Sequence, residues 1–168
     1  FDFSPPHVNC EYVMAYCCNY NRPVENLNDL VGARVAVVKN DVMHEFLLER
    51  KIDANINVFD NFQTALESMT AGQTDFVLIP RMVALFLIKE KKIADIELTT
   101  SPVFSSEFCF AFAEGNKALL AKFTEGLKAI EASGEYRKIH EKWLGILDNG
   151  ESDLKVFLAS FFYRQDFR

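Results

Sequence analysis

The chain has 168 residues, of which 49% are hydrophobic, 25% are charged and 16 are phenylalanine, a composition that supplies a core and excludes disorder as the default state. Acids outnumber bases by 24 to 18, for a formal net charge of -6, so the surface repels phosphate backbones and nucleic acid is excluded as a general partner. No apolar run reaches the ~20 residues of a membrane span; the longest, 82–88, lies between Arg81 and Lys89.

The opening Phe1-Asp2-Phe3 carries no basic leader and no initiating Met, which reads as a processed product or an excised piece of something larger. Ser4-Pro5-Pro6-His7 is a loop, because two prolines forbid a helix start before them. Residues 11–18 (EYVMAYCC) read as a strand, and 19–26 as a turn punctuated by Pro23. Residues 27–30 form a helical turn ending at Gly32. Residues 34–38 (RVAVV) are a continuous β-branched run, the mark of a strand buried on both faces. Asp41 caps a helix running to about Lys51 with Val42, Phe46 and Leu47 on one face. A short strand at 56–59 precedes a helix at 62–71, capped by Asn61, stopped by Gly72 and apolar along Phe62, Ala65, Leu66 and Met69. Residues 75–79 (DFVLI) are another buried strand. Pro80 then opens a helix through Lys91, and 96–98 is a short strand. The order β-α-β-α-β-α-β predicts a small open α/β sheet with helices on its faces.

Past Pro102 the pattern changes. Residues 107–113 (EFCFAFA) read as one aromatic strand. Helices follow at 117–132 and 135–144, broken by Gly134 and closed by Gly145. An amphipathic helix is expected around 154–163. The four cysteines, Cys10, Cys17, Cys18 and Cys109, lack C-x-x-C spacing and a nearby His in ligand register, so neither zinc nor a cofactor is implied. They read as buried thiols, with a Cys109 disulfide to the Cys17/Cys18 region left open.

Several stretches together resemble one family. LNDLVGARVAVVKND and FDNFQTALESMTAGQTDFVLIP are similar to the lobe-two elements of the type II periplasmic solute-binding fold, bacterial extracellular solute-binding family 3. EFCFAFAEGNKALLAKFTEGLKAIEASGEYRKIHEKWLG resembles the return strand and closing helices, with Gly134, Tyr136, Ile139, Lys142, Trp143 and Gly145 in register. FDFSPPH resembles the loop before the first hinge strand. Within the family, FDFSPPH and VVKNDVMHEFLLE look most like the extracytoplasmic sensor domains of bacterial histidine kinases. Trp143, Tyr136 and Phe123 read as core and lobe closure.

The resemblance implies an α/β fold of the periplasmic binding protein type II kind. Residues 24–106 would form a complete lobe two, an open α/β sheet flanked by helices. Residues 1–23 and 107–147 would form a partial lobe one, lacking its N-terminal part, with 148–168 as a tail or linker. Hinge strands are expected near 19–24 and 101–107, with a solute bound between lobes and closure as the output. Apolar surface left uncovered on a partial lobe one predicts self-association; a protein that stays monomeric by light scattering at high concentration would count against it.

The expected ligand is a small polar or anionic organic solute. Lys39, Asn40, Asp41, Val42 and Met43 lie where a strand hands over to a helix N-terminus, whose amides suit an anion. Asp41 is equally well explained as a cap, and Asn40 as the turn residue standing where the family has glycine. Ser4, Pro6 and His7 occupy the lobe-one loop that faces the ligand in relatives. Asp60 belongs to the next strand-to-helix loop. Amino-acid binders of the family place an aspartate after the D-a-v strand to hold the ligand's amino group. Here that position reads Pro80-Arg81, which argues against an ordinary α-amino acid; Arg81 is expected to favour an anion or to point to solvent. The reading is an extracytoplasmic sensor domain of a parent protein anchored in the membrane. A transporter's binding subunit is the first alternative and a cyclic-acid dehydratase the second. For catalysis only His7, Asp41 and Asp60 are candidates.

Overall fold

Three apolar runs far apart in the sequence become neighbouring strands. The computed structural model describes residues 1–20 and 24–144. In chain order the elements are β1 (Asp2–Phe3), β2 (Val8–Cys17), a 3-10 turn (Leu27–Leu30), β3 (Arg34–Val38), α1 (Val42–Arg50), β4 (Asn55–Phe59), α2 (Phe62–Thr70), β5 (Phe76–Pro80), α3 (Arg81–Lys91), β6 (Ile96–Leu98), β7 (Phe104–Phe108), β8 (Ala111–Phe112), α4 (Lys117–Ala132) and α5 (Glu135–Leu144). The amphipathic segment expected at 154–163 lies outside the described residues.

The chain divides into a larger unit, Cys10–Ser106, and a smaller one made of Phe1–Asn9 and the chain from Glu107 onward. It therefore passes between them twice, inside β2 and inside β7. The larger unit begins at Cys10, earlier than the sequence reading's residue 24, because β2 pairs along its length with β5, from Tyr12↔Pro80 to Tyr16↔Phe76. Residues 10–17 thus belong to the sheet of the larger unit, and the first crossing falls at Asn9–Cys10, upstream of the expected 19–24.

In the larger unit the sheet order is β4-β3-β5-β2-β6, with β7 also paired to β2. β3 runs parallel to both β4 and β5, whereas β2 is antiparallel to β5 and β6. The pleat sorts the core into two layers, since successive side chains face opposite sides. Cys10, Tyr12, Met14, Val35, Val37, Phe76 and Leu78 form one cluster with Met43 and Leu47 of α1. Val13, Ala15, Ala36, Val77 and Ile79 face the other way, where Ala65, Leu66 and Met69 of α2 and Ala84 and Leu85 of α3 are buried. On α1 the inward pair is Met43 and Leu47, while Val42 is exposed. The apolar string VM--FL fits either pairing by periodicity, and packing against β3 decides it.

The smaller unit is described by itself. β1 pairs antiparallel with β8, Asp2↔Phe112 and Phe3↔Ala111. The single strand expected at 107–113 is interrupted between β7 and β8. There the Ser4 hydroxyl accepts the Phe110 N–H at 2.9 Å, while the Phe110 carbonyl accepts the Ser4 N–H at 2.9 Å. Phe123 of α4 packs on Phe110 and Phe112, with ring centroids 4.6 and 5.3 Å away. Tyr136 of α5 donates its hydroxyl to the His7 carbonyl. No residue of α4 is buried. Trp143 is 69% exposed among the described residues, so the expectation that it is a core residue is corrected; the Lys142 ammonium lies 5.1 Å from its ring. Phe1, Phe3 and Phe108 are exposed as well.

Candidate functional site

β3 sends the chain through α1 to β4 on one side, and β4 sends it through α2 to β5 on the other. The strand order therefore reverses at β3/β5. In open α/β sheets the crevice at such a point, outside the carboxyl ends of the strands, is where ligands sit. Three loops converge on this edge of the larger unit: Lys39–Asp41 after β3, Asp60–Asn61 after β4, and the Pro80–Arg81 junction after β5.

The first loop is a tight turn. Asn40 takes φ 60, a left-handed conformation that asparagine tolerates among non-glycine residues. The Lys39 amide donates to the Phe59 carbonyl at 2.8 Å and the Asp41 amide to Val38 at 3.1 Å. Lys39, Asn40 and Val42 are exposed, Asp41 is half-buried, and the Met43 side chain lies wholly in the core. Asp41 is the N-cap of α1: its Oδ1 accepts the Met43 N–H at 2.9 Å. Its Oδ2 accepts the Tyr12 hydroxyl at 3.0 Å. Burial first, then the Asp41 charge, hold the Tyr12 phenol above its ordinary value, so it stays a donor. Burial and the same charge also push the Cys10 thiol up, which keeps that buried sulfur unreactive.

Asp60 is exposed, and Asn61 caps α2 through Thr64 at 2.9 Å. At the third junction Arg81 is 7% exposed and not turned to solvent. Its Nε donates to Glu11 Oε2 at 3.1 Å, and its two terminal nitrogens donate to the carbonyls of Thr99 at 3.2 Å and Thr100 at 2.8 Å. Burial pulls its guanidinium below the ordinary value, and Glu11 opposes that. The sequence expectation of a solvent-facing Arg81 is thereby corrected: a buried cation needs a partner, and Glu11 and two carbonyls supply it.

The structure thus brings Lys39, Asn40, Asp41, Val42, Met43, Asp60 and Arg81 to one sheet edge. It places Ser4, Pro6 and His7 in the smaller unit. Ser4 is buried with its hydroxyl committed to the backbone, Pro6 is exposed, and the His7 ring stacks on Phe110 at 4.4 Å. Glu11 and Tyr12 escaped the sequence reading, since nothing local in EYVMAYCC distinguishes a side chain that grips a helix from one that lines a core. All four cysteines are free.

A cavity of about 460 Å³ lies at the opposite sheet edge, lined by Asn19, Tyr20, Asp29, Gly32 and Asp75 among others. Its carboxylates are already engaged. Asp29 accepts the amides of Glu25 and Asn26. Asp75 takes the Arg34 guanidinium through both oxygens, at 2.6 and 3.1 Å, and the Arg34 amide at 2.8 Å. Those bonds hold the Asp75 carboxyl below its usual 3.8. A depressed carboxylate adds stability that is present above the unfolded pKa and is lost as pH falls through the folded one. Asp75→Asn is therefore expected to flatten the fall in melting temperature between about pH 5 and pH 3; an unchanged acid limb would remove Asp75 from its causes.

The pattern of bacterial extracellular solute-binding proteins, family 3, matches residues 1–146. This chain belongs to that family. It is 26% identical over 123 residues to the ABC transporter glutamine-binding protein GlnH of Bacillus subtilis, covering 73% of this chain and 44% of that one. It is 25% identical over 146 residues to the L-cystine-binding protein TcyJ of Escherichia coli, covering 86% and 54%. Among solved structures, a histidine kinase sensor domain with similarity to periplasmic binding proteins superposes with a TM-score of 0.74 at 28% identity, covering 86% of this chain and 63% of that one. The chain spans about half the length of the curated relatives it matches. The fold is the α/β, type II periplasmic binding protein kind that the sequence implied. No helix among the described residues is long and apolar enough to cross a membrane.

Proposed function

We propose that this family 3 domain is the extracytoplasmic sensor module of a bacterial two-component histidine kinase anchored in the membrane, and that it takes a small polar organic solute at the β3/β5 edge. The observation that carries the sensor reading is the 28% identity and TM-score of 0.74 to a histidine kinase sensor domain. Support for the site comes from the exposed turn Lys39–Asn40 and the half-buried Asp41 carboxylate at the strand-order reversal, with the exposed Asp60 in the adjoining loop after β4.

The chemistry of the edge favours a solute that donates hydrogen bonds. Asp41 already sets a negative charge at the α1 N-terminus, where an anion would otherwise gain from the helix dipole. Arg81 is engaged by Glu11 and backbone carbonyls. The preference for an anion in the sequence reading therefore gains no support from this edge. Pro80 offers no carboxylate for an amino group, and Asp41, in the loop after the neighbouring strand β3, is the acid best placed for that role.

A second reading, the binding subunit of a transporter, is favoured by the names of the glutamine- and cystine-binding relatives. The coding sequence beyond Arg168 separates the two. A membrane helix and kinase core supports the sensor; a stop directly after Arg168 supports the transporter subunit.

Thermal-shift screening of L-glutamine, L-arginine, L-cystine and polar solutes without an α-amino group tests the site. A solute at a hundredfold excess over its Kd stabilises by about 2.7 kcal/mol, which raises the melting temperature by about 5–10 °C for a chain of this size. Asp41→Asn, which keeps the helix cap, is expected to abolish that shift. A full shift in Asp41→Asn removes Asp41 from the site, and no shift with any solute sinks the binding reading.

A further inference from the structure

We propose that Glu11 and Tyr12 are positioning residues for the candidate site: successive side chains of β2, on opposite faces of the sheet, they fix the first turns of α3 and α1 to the strand by which the chain first passes between its two units. The proposal rests on the functional reading above for the meaning of the site, but its geometry lies wholly in Cys10–Ser106.

Strand alternation makes the arrangement possible. Tyr12 lies with Cys10 and Met14 on the α1 face; Glu11 lies with Val13 and Ala15 on the α2/α3 face. Tyr12 is 6% exposed and donates to Asp41, whose other oxygen holds the Met43 amide. Its ring meets Phe104 of β7 edge-on at 6.0 Å, and Phe104 packs on Phe46 of α1 at 5.3 Å. Glu11 binds Arg81, the first residue of α3, which also reaches the carbonyls of Thr99 and Thr100 between β6 and β7. Each tie therefore joins one helix N-terminus to β2 and to the segment leading out through β7.

The third loop supplies the contrast. Asn61, the cap of α2, bonds the amide and hydroxyl of its own Thr64, and no hydrogen bond among the described residues links its side chain to β2. The two helix termini beside the strand-order reversal are thus the ones held to the crossing strand, and the outer one is not. Loops that must present backbone groups to a solute need such support, since loosely held groups bind weakly.

Hydrogen exchange on the full chain tests the proposal. Tyr12→Phe is expected to speed exchange in the first turn of α1 about tenfold, the effect of losing one hydrogen bond to a charged group. The first turns of α2 and α3 should stay unchanged. Glu11→Gln should do the same to α3 and to residues 99–103, leaving α1 and α2 alone. Arg81→Lys, which keeps the charge and loses the fork, should reproduce the Glu11→Gln footprint and covers the case in which Glu11→Gln fails to fold. Faster exchange everywhere, or nowhere, overturns the proposal. The second readout is affinity for whichever of L-glutamine, L-arginine and L-cystine stabilises the wild type. Tyr12→Phe should weaken it about tenfold; unchanged affinity reduces Tyr12 to a structural tie and overturns its positioning role. If none of the three binds the wild type, the binding reading loses these ligands while the exchange footprints still decide the ties.

Discussion

Phe76→Ala is expected to lower the unfolding free energy by about 3–5 kcal/mol. Phe76 is fully buried and opens β5. It is paired with Val35 on one side and Tyr16 on the other. Its ring lies 4.9 Å from Tyr20 and 6.4 Å from Tyr16, so the neighbours are rigid rings that collapse poorly into a void. A loss of that size is a large share of the whole stability of a domain, and urea denaturation reads it directly. A cost under about 1 kcal/mol would mean the aromatic cluster repacks.

Arg81→Met should cost about 2–4 kcal/mol, a little below the range for breaking a fully buried pair, because Glu11 keeps a third of its side-chain surface in water. The substitution retains most of the stem volume but leaves the Glu11 carboxylate and the Thr99 and Thr100 carbonyls without their donor. Arg81→Met with Glu11→Leu should recover much of that loss, since replacing both partners removes the stranded charge. A double variant no more stable than Arg81→Met would mean that the carbonyl contacts carry the energy.

The elements most legible in the sequence are those whose cause is local. The β-branched run at 34–38 gives β3 with the expected ends, and the helices at 117–132 and 135–144 follow from their periodicity and from Gly134 between them. Their bounds depend on neighbouring residues only. The break between β7 and β8 depends instead on Ser4, whose hydroxyl takes an amide 106 positions away, and no pattern within EFCFAFA carries that information. The same holds at the site. Asp41 as a cap was legible, because a short acceptor before an apolar helix is a local signal. Its bond to Tyr12, 29 positions off, was not. Arg81 looked like a surface residue for the same reason: charge predicts exposure unless a partner arrives from another strand, and Glu11 is 70 positions away. Trp143 misled in the opposite direction, since an aromatic in a helical stripe carries no label for what covers it.

The way the chain weaves has a consequence for synthesis. The larger unit is one unbroken stretch, Cys10–Ser106, whereas the smaller draws on both flanks of it. A ribosome releases the whole of the former before the latter has received its helices, so the module with the strand-order reversal can complete its sheet while the rest is still being made. Phe1–Asn9 emerges ahead of that module and must wait for Glu107 and beyond before β1 can pair with β8.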